Sequence, residues 1–314
     1  MRRHLLRRGA AFVATLFFVS VLVFVVIRVL PGDPAQLIMG TEGSPEAVAR
    51  LREALGLNRP LAVQYVDWAG RALRGDLGVS IQYDLPVTRL IVSRLPVTLP
   101  LTVMAAAFMI VIAVPLGLYA ATQHRRAGDY LTMVLSQLGI AVPAFWSGLL
   151  LILLFSVHLG WLQSGGFEGW EQGLGQGLRS LLLPAIALGV FQAAVLIRAT
   201  RSAVLDVLGE DYVRTARAKG VAEASVIGKH AFRNALIPVV TVAGIQLGHL
   251  LAGSIILESV FALPGLGRLA LGAIAARDLP LVQGVTLFVA GTIVLLNFLV
   301  DLAYVLLDPR IRYE

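Results

Sequence analysis

The chain has 314 residues, 57% hydrophobic and 14% charged, with a mean hydropathy of +0.81, so the solvent for most of its side chains has to be lipid rather than water. The formal charge of +7 comes mostly from arginines beside apolar stretches, the pattern of the positive-inside rule, and this excludes nucleic acid as its cause. With no cysteine, disulfides, thiolate metal sites and cysteine nucleophiles are excluded as well.

In chain order, the first element is the apolar run Gly9–Leu30, which comes after Arg2, Arg3, Arg7 and Arg8. It is longer than a signal-peptide core and runs into Leu30-Pro31-Gly32-Asp33-Pro34, not a small-x-small cleavage site. It therefore reads as a retained first transmembrane helix, with Arg28 snorkelling near its far end. In the next segment Ser44-Pro45-Glu46 is an N-cap followed by proline at the first helical position, which predicts a helix to about Leu55. Pro60 restarts an amphipathic run through Tyr65, Trp68 and Leu73 to Gly75, and together these predict a helical cap on the outer surface. Further spans lie at Val97–Ala121, Leu131–Leu159, Leu181–Ile197, Leu236–Leu257 and Val282–Leu307, six in all. Their internal prolines Pro115, Pro143 and Pro184 are compatible with spans because neighbouring helices or water satisfy the freed carbonyls. Gly160–Gly177, glycine-rich with Trp161, Phe167 and Trp170, reads either as a flexible loop with interfacial aromatic anchors or as a substrate gate.

Arginine placement sets the orientation. One side collects the N-terminal cluster, Arg125, Arg126, the set from Arg198 to Arg233, Arg310 and Arg312, whereas the two short loops opposite hold Arg179, Arg268 and Arg277. The 31–96 loop balances seven arginines with seven acids and is long enough to translocate regardless. The expected protein is all-α and integral to the membrane, with both termini cytoplasmic.

The polar segment from about Arg201 to Ala235 interrupts this pattern. With Arg198 it carries seven basic residues (Arg198, Arg201, Arg214, Arg217, Lys219, Lys229, Arg233) beside Asp206, Glu210, Asp211 and Glu223, so it lies in water. Wound as a helix, Glu210–Lys219 puts Tyr212, Val213 and Ala216 on one face and Glu210, Asp211, Arg214 and Arg217 on the other, with Glu210 and Arg214 in the favourable i,i+4 order. Gly220 stops it. A second helix then shares one face among Ala224, Ile227, Ala231, Phe232 and Ala235, with Glu223, Lys229, His230 and Arg233 opposite. Such a pair suits a helix-in-groove contact with another protein, ahead of the alternative of a solvated loop packed on its own chain.

Within the spans the polar residues are Gln137, Gln192, Gln246, His249, Asn297 and Asp301. Each marks a pathway or serves as an interhelical hydrogen-bond partner worth about 0.6 kcal/mol. Gln246 and His249, one turn apart, are the foremost pathway candidates; Asp301 fits an arginine partner better than cargo. Gly244 and Gly248 form a small-xxx-small pair for close helix packing, within the chain or with a partner. The histidines His4, His124, His158, His230 and His249 show no metal-ligand spacing, and neither Lys219 nor Lys229 sits in a phosphate-binding loop, so the chain holds no metal or cofactor site and any ATP must be bound elsewhere.

Tyr212-Val213-Arg214-Thr215-Ala216-Arg217-Ala218-Lys219-Gly220, with Arg233-Asn234-Ala235-Leu236-Ile237-Pro238 after it, resembles the EAA loop of bacterial ABC-importer permeases, in particular the dipeptide/oligopeptide/nickel family. Arg214-Thr215-Ala216 stands where the general pattern has Glu-Ala-Ala, and the Gly220-to-Pro238 spacing is longer; both are features of the peptide-type subfamily. Leu30-Pro31-Gly32-Asp33-Pro34, Leu57-Asn58-Arg59-Pro60-Leu61, Gly75-Asp76-Leu77-Gly78, Pro264-Gly265-Leu266-Gly267-Arg268, Arg277–Gly284, Asp301–Tyr304 and Leu307-Asp308-Pro309-Arg310 are similar to its B-type subunit in the same order.

The resemblance implies a cytoplasmic tail and first helix (1–30), an outer cap (31–96) and a five-helix permease core (97–314) with a coupling loop at 199–238. It implies that Glu210, Tyr212, Val213, Arg214, Ala216, Arg217, Lys219 and Gly220 couple to an ATPase. Implied partners are a second permease of similar fold, two ATPase subunits that bind ATP-Mg, a binding protein on the outer face, and lipid of the bacterial cytoplasmic membrane. Peptide is the expected cargo, with nickel, glutathione or haem as alternatives within the family. An ion-coupled secondary transporter is the alternative class, but it favours intramembrane carboxylates, and the predicted span interiors carry almost none. No catalytic set for an enzyme is present.

Overall fold

The computed structural model describes residues 2–29, 34–39, 44–54 and 56–307. The motif around Leu30–Asp33 and the C-terminal Asp308–Arg310, with Arg312, lie outside the described residues, as do the side chains of Arg28 and Asp301. In chain order the helices are α1 (Arg2–Val29), α2 (Pro34–Met39), α3 (Pro45–Ala54), α4 (Leu61–Ala72), α5 (Val87–Thr122), α6 (Ala127–Ala141), α7 (Ala144–Leu151), α8 (Leu174–Leu208), α9 (Asp211–Ala218), α10 (Glu223–Ser225), α11 (Arg233–Val260), α12 (Leu266–Ala275) and α13 (Leu279–Leu307). Wider π-helical turns occupy Ile152–His158 and Val226–Phe232. Among the described residues the only extended pairing is a single bridge, Val79 to Pro86.

Arg8–Val26, Val87–Thr122, Leu174–Leu208, Glu223–Val260 and Leu279–Val300 are each long and apolar enough to cross a membrane. The expected span Leu131–Leu159 is formed by a broken pair, Ala127–Ala141 and Ala144–His158, bent by 101°. The cause is Pro143: it has no N–H to continue the helix and pushes the preceding residue out of helical geometry, so Val142 is extended at φ −89°, ψ 120°. Pro184, by contrast, sits inside the unbroken α8.

The chain forms two compact units. One comprises Val97–Pro264 with the chain from Leu295, and its core includes Leu101, Met109, Leu181, Leu188, Leu196, Leu250 and Leu257. Lipid is as apolar as leucine, so helices here associate through close packing, which small residues permit. A β-carbon on Gly117 would stand 2.6 Å from the Thr200 side chain, one on Gly189 would stand 2.7 Å from the Phe108 ring, and one on Gly139 would stand 3.0 Å from Ala194 Cβ. Gly244 presses its backbone against Val300, so this member of the small-residue pair packs within the chain. The fully buried Glu258 accepts a hydrogen bond from the Thr98 hydroxyl at 2.7 Å.

The glycine-rich connection is shorter than expected, because α8 begins at Leu174 after Gly173 at φ 116°. It is also tied down. Gly166 N–H donates to the Phe261 carbonyl at 2.7 Å, and Phe167 and Trp170 meet edge-to-face at 5.3 Å and pack on the core, while Trp161 stays exposed.

The other unit is Arg3–Pro96 with Gly265–Val294. As the sequence predicts, Ser44 caps α3, its Oγ accepting the Ala47 N–H at 3.2 Å, and α4 begins after Pro60. Tyr65 and Trp68 of α4 lie 5.5 and 5.8 Å from Phe24 of α1, and Ser20 Oγ and Tyr65 Oη are 2.7 Å apart. A second anchor is Asp278, which is buried. Its carboxylate accepts from Ser80 Oγ at 2.5 Å and Gln82 N at 3.1 Å, and caps the Leu281 N–H at 3.2 Å.

Candidate functional site

The polar segment begins where α8 ends at Gly209. Glu210 stays extended (ψ 146°) and α9 starts at Asp211. On the apolar face Val213 is fully buried and Ala216 half-buried, while Asp211, Arg214, Arg217 and Lys219 opposite are exposed. Tyr212 remains 44% exposed. Gly220 ends the helix at φ 75°, with its N–H on the Arg217 carbonyl at 2.9 Å and the Val221 N–H reaching back to the Ala216 carbonyl at 3.2 Å. These two bonds form a Schellman stop, whose left-handed position suits glycine.

Two side-chain ties hold α9 against the chain between Glu223 and Asn234. Arg217 forks onto Glu223, Nη2 to Oε1 at 2.7 Å and Nε to Oε2 at 3.1 Å, and that carboxylate holds the guanidinium above its ordinary pKa. Asn234 Nδ2 donates to Tyr212 Oη at 2.8 Å and to the His230 carbonyl at 2.8 Å. The loop is therefore braced across α9, the π-helical turn and the start of α11.

Two details differ from expectation. Arg214 pairs with Asp211 at 3.4 Å rather than with Glu210, because Glu210 lies before the first helical turn and its backbone does not continue the spiral. In the second helix Val226 is buried and Ala224 exposed. The wider turn of Val226–Phe232 brings residues five apart into line, so Val226, Ala231 and then Ala235 share the buried face.

Among the described residues no hydrogen bond joins any two of the five residues proposed for a pathway. Gln137 is exposed and accepts from Arg198 Nη1 at 3.0 Å. Gln192 and Gln246 are buried, and the Gln192 Oε1 has no hydrogen-bond partner. His249 and Asn297 are exposed on α11 and α13.

Sequence reasoning missed an ionic cluster around the buried Asp129, with Arg201 partly exposed and His124 exposed. Asp129, in the first turn of α6, accepts from Arg201 Nε at 2.5 Å, from Arg201 Nη2 at 2.7 Å and from the Arg125 backbone N–H at 3.0 Å. His124 Nδ1 lies 3.4 Å from Asp129 Oδ2 and 3.3 Å from Arg201 Nη2. By sequence Asp129 is an ordinary helix-start acid, and its partner is 72 residues away. Glu258 escapes a reading of the spans because it comes just after the last residue of a predicted one.

The fold resembles that of a chain of the MetNI methionine ABC transporter in inward-facing conformations: the TM-score is 0.58 at 22% identity, covering 70% of this chain and 96% of that one. Residues 113–313 match the family described as binding-protein-dependent transport system inner membrane component, and residues 1–103 match the family described as the N-terminal part of the binding-protein-dependent transport system membrane component. The chain belongs to this family, and is the permease subunit of an ABC importer. A Brucella abortus (strain 2308) protein named as a putative peptide transport system permease is 46% identical over the full length of both chains. The glutathione transport system permease protein of Escherichia coli (strain K12) is 43% identical, again over the full length of both.

Proposed function

We propose that the permease moves short peptides, and that α9 with the Glu223–Ala235 segment is the surface an ATPase subunit grips. The observation that carries this reading is the pairing of a fixed back with an exposed front. Val213, the Schellman stop and the Asn234–Tyr212 bond secure α9 from behind, while Tyr212, Arg214, Arg217 and Lys219 stay on the surface. A docking element needs this stiffness, since a motion applied to a loose loop is lost in the loop.

In this reading two ATPase subunits bind ATP-Mg, and this chain pairs with a second permease of similar fold. A binding protein delivers cargo to the outer 31–96 segment, and both termini lie in the cytoplasm. ATP binding shifts the permease pair between inward- and outward-facing states because the ATPases bind one state more tightly than the other. Exposed His249 and Asn297 are costly against lipid, which favours placing them on the second permease or on the pathway, with Gln192 and Gln246 deeper in the bundle. Gln137, already held by Arg198, is the weakest of the five for that role. Full-length relatives named for peptide and for glutathione, itself a tripeptide, support peptide-like cargo.

Co-purification from the native membrane in mild detergent, with mass spectrometry of the recovered proteins, tests the assembly. A second permease and ATPases that are lost on altering Tyr212–Gly220 support it. A chain that purifies alone and transports in liposomes without ATP overturns it. Competition between labelled dipeptides and glutathione for uptake then decides the cargo.

A further inference from the structure

The ionic cluster of Asp129, Arg201 and His124 lies outside the proposed docking surface, yet it sits on the helix that leads there. Arg201 is on the last third of α8, and α9 begins after a two-residue turn at Gly209 and Glu210. Its fork is filled by both oxygens of Asp129, whose side chain is only 4% exposed. Taking an ion pair out of water costs nearly what the attraction returns, so such a pair is poor evidence of stability and better evidence of a fixed register. A bidentate guanidinium fixes direction as well as distance.

Further contacts repeat the attachment along the same two helices. Arg198, one turn before Arg201, donates to Gln137 of α6 at 3.0 Å, and farther along Gly139 lies against Ala194. At the start of α6, Asp129 also accepts the N–H of Arg125, a non-glycine residue held at φ 61°, so the connecting turn is pinned by the same carboxylate.

We infer that Asp129 and Arg201 are positioning residues that make α6 and the inner part of α8 one moving body, so that displacement of α9 is delivered to α6. The inference rests on the docking role proposed for α9. If the Asp129–Arg201 pair were lost, α8 would slide on α6 and the ATPases would no longer sense events at the outer face.

The test uses the complete complex reconstituted in lipid, reading the fold-stimulation of ATP hydrolysis when the binding protein is added with the cargo it carries as purified. Asp129→Asn and Arg201→Lys are each expected to keep basal hydrolysis while lowering the stimulation by about fivefold or more, within the range of coupling between distant sites. Because the chain has no cysteine, Gly139→Cys with Ala194→Cys gives one defined crosslink, the two positions being close enough for a disulfide with a slight shift. Oxidation is expected to leave stimulation intact in the otherwise unaltered chain and to restore it in Asp129→Asn, with reductant reversing the rescue. A crosslink that abolishes stimulation in the unaltered chain, or unchanged stimulation in Asp129→Asn, overturns the inference. Tyr212→Ala run in parallel separates the two ideas: if that variant retains full stimulation, the docking role of α9 itself has failed.

Discussion

Asn234 and Tyr212 meet across 22 residues of sequence, the Asn234 amide donating to the phenolic oxygen at 2.8 Å while it also reaches the His230 carbonyl. One amide thus joins the exposed aromatic of α9 to the first turn of the span behind it. Tyr212→Phe removes the bond from Asn234 and a long bond of 3.4 Å from the hydroxyl to the His230 carbonyl, whereas Asn234→Ala removes both short amide bonds, each worth about 0.5–1.5 kcal/mol. Affinity of the detergent-solubilised permease for its ATPase should fall more for Asn234→Ala than for Tyr212→Phe; the reverse order would mean that the hydroxyl contacts the partner directly.

Gly220 holds φ 75°, a conformation that costs an L-residue about 1–2 kcal/mol. Gly220→Ala should weaken transport in part. Gly220→Pro demands a φ near −65° and also deletes the N–H that closes on Arg217, so it should uncouple transport while membrane insertion is intact. Uptake assays beside membrane fractionation check both, and normal uptake by the proline variant would count strongly against a coupling role.

At Gly244 the backbone is in contact with Val300, leaving no room for a side chain. Gly244→Val should lower the thermal midpoint in detergent, with overpacking costs of about 1–3 kcal/mol. Val300→Gly introduced alongside, which also removes the Val300 Cβ that would stand 2.9 Å from the new β-carbon, should return part of the loss. Equal loss in the single and double variants would show that the valine is not the obstacle.

Burial makes Asp278 a structural anchor rather than a surface charge. Asp278→Ala leaves Ser80 Oγ and the N–H groups of Gln82 and Leu281 without their acceptor and should destabilise by roughly 1–3 kcal/mol per buried donor left unpaired. Ser80→Ala should cost less, since two donors to Asp278 remain. Thermal unfolding followed by tryptophan fluorescence orders the two variants, and an inverted order removes Asp278 from this role.

The Arg217–Glu223 pair has good geometry, but its side chains are 41% and 55% exposed. Glu223→Gln is therefore expected to cost under about 1 kcal/mol. The difference should shrink further in high salt. A larger, salt-insensitive effect would mean that a partner buries this pair in the complex.

What the sequence disclosed and what it concealed divide along physical lines. Span positions were legible because twenty or so apolar residues in a row have few other uses, and the stop at Gly220 was legible because left-handed backbone favours one residue type. The break at Pro143 looks like a tolerated kink in sequence, since nothing local separates it from Pro184, which α8 absorbs without breaking. The slip from Ala224 to Val226 arises because a period of 3.6 does not hold where the chain winds more widely. Asp129 escapes notice for a different reason: its meaning lies in Arg201, and a single chain read in order gives no sign of which distant residue a carboxylate will face.

The length of α8 has a mechanical consequence. The helix spans 35 residues, and its apolar stretch ends at Ile197, leaving residues 198–208 beyond it with Arg198, Arg201 and Asp206. At about 1.5 Å per residue this is a stalk of roughly 16 Å, with α9 carried just past its tip. A tilt of about 10° at the level of Ile197 swings that tip sideways by about 3 Å, enough to carry a side chain from one socket toward the next. Under the docking role proposed for α9 the leverage would also run backwards, a few ångströms of closure at an ATPase becoming a small rotation of the helix.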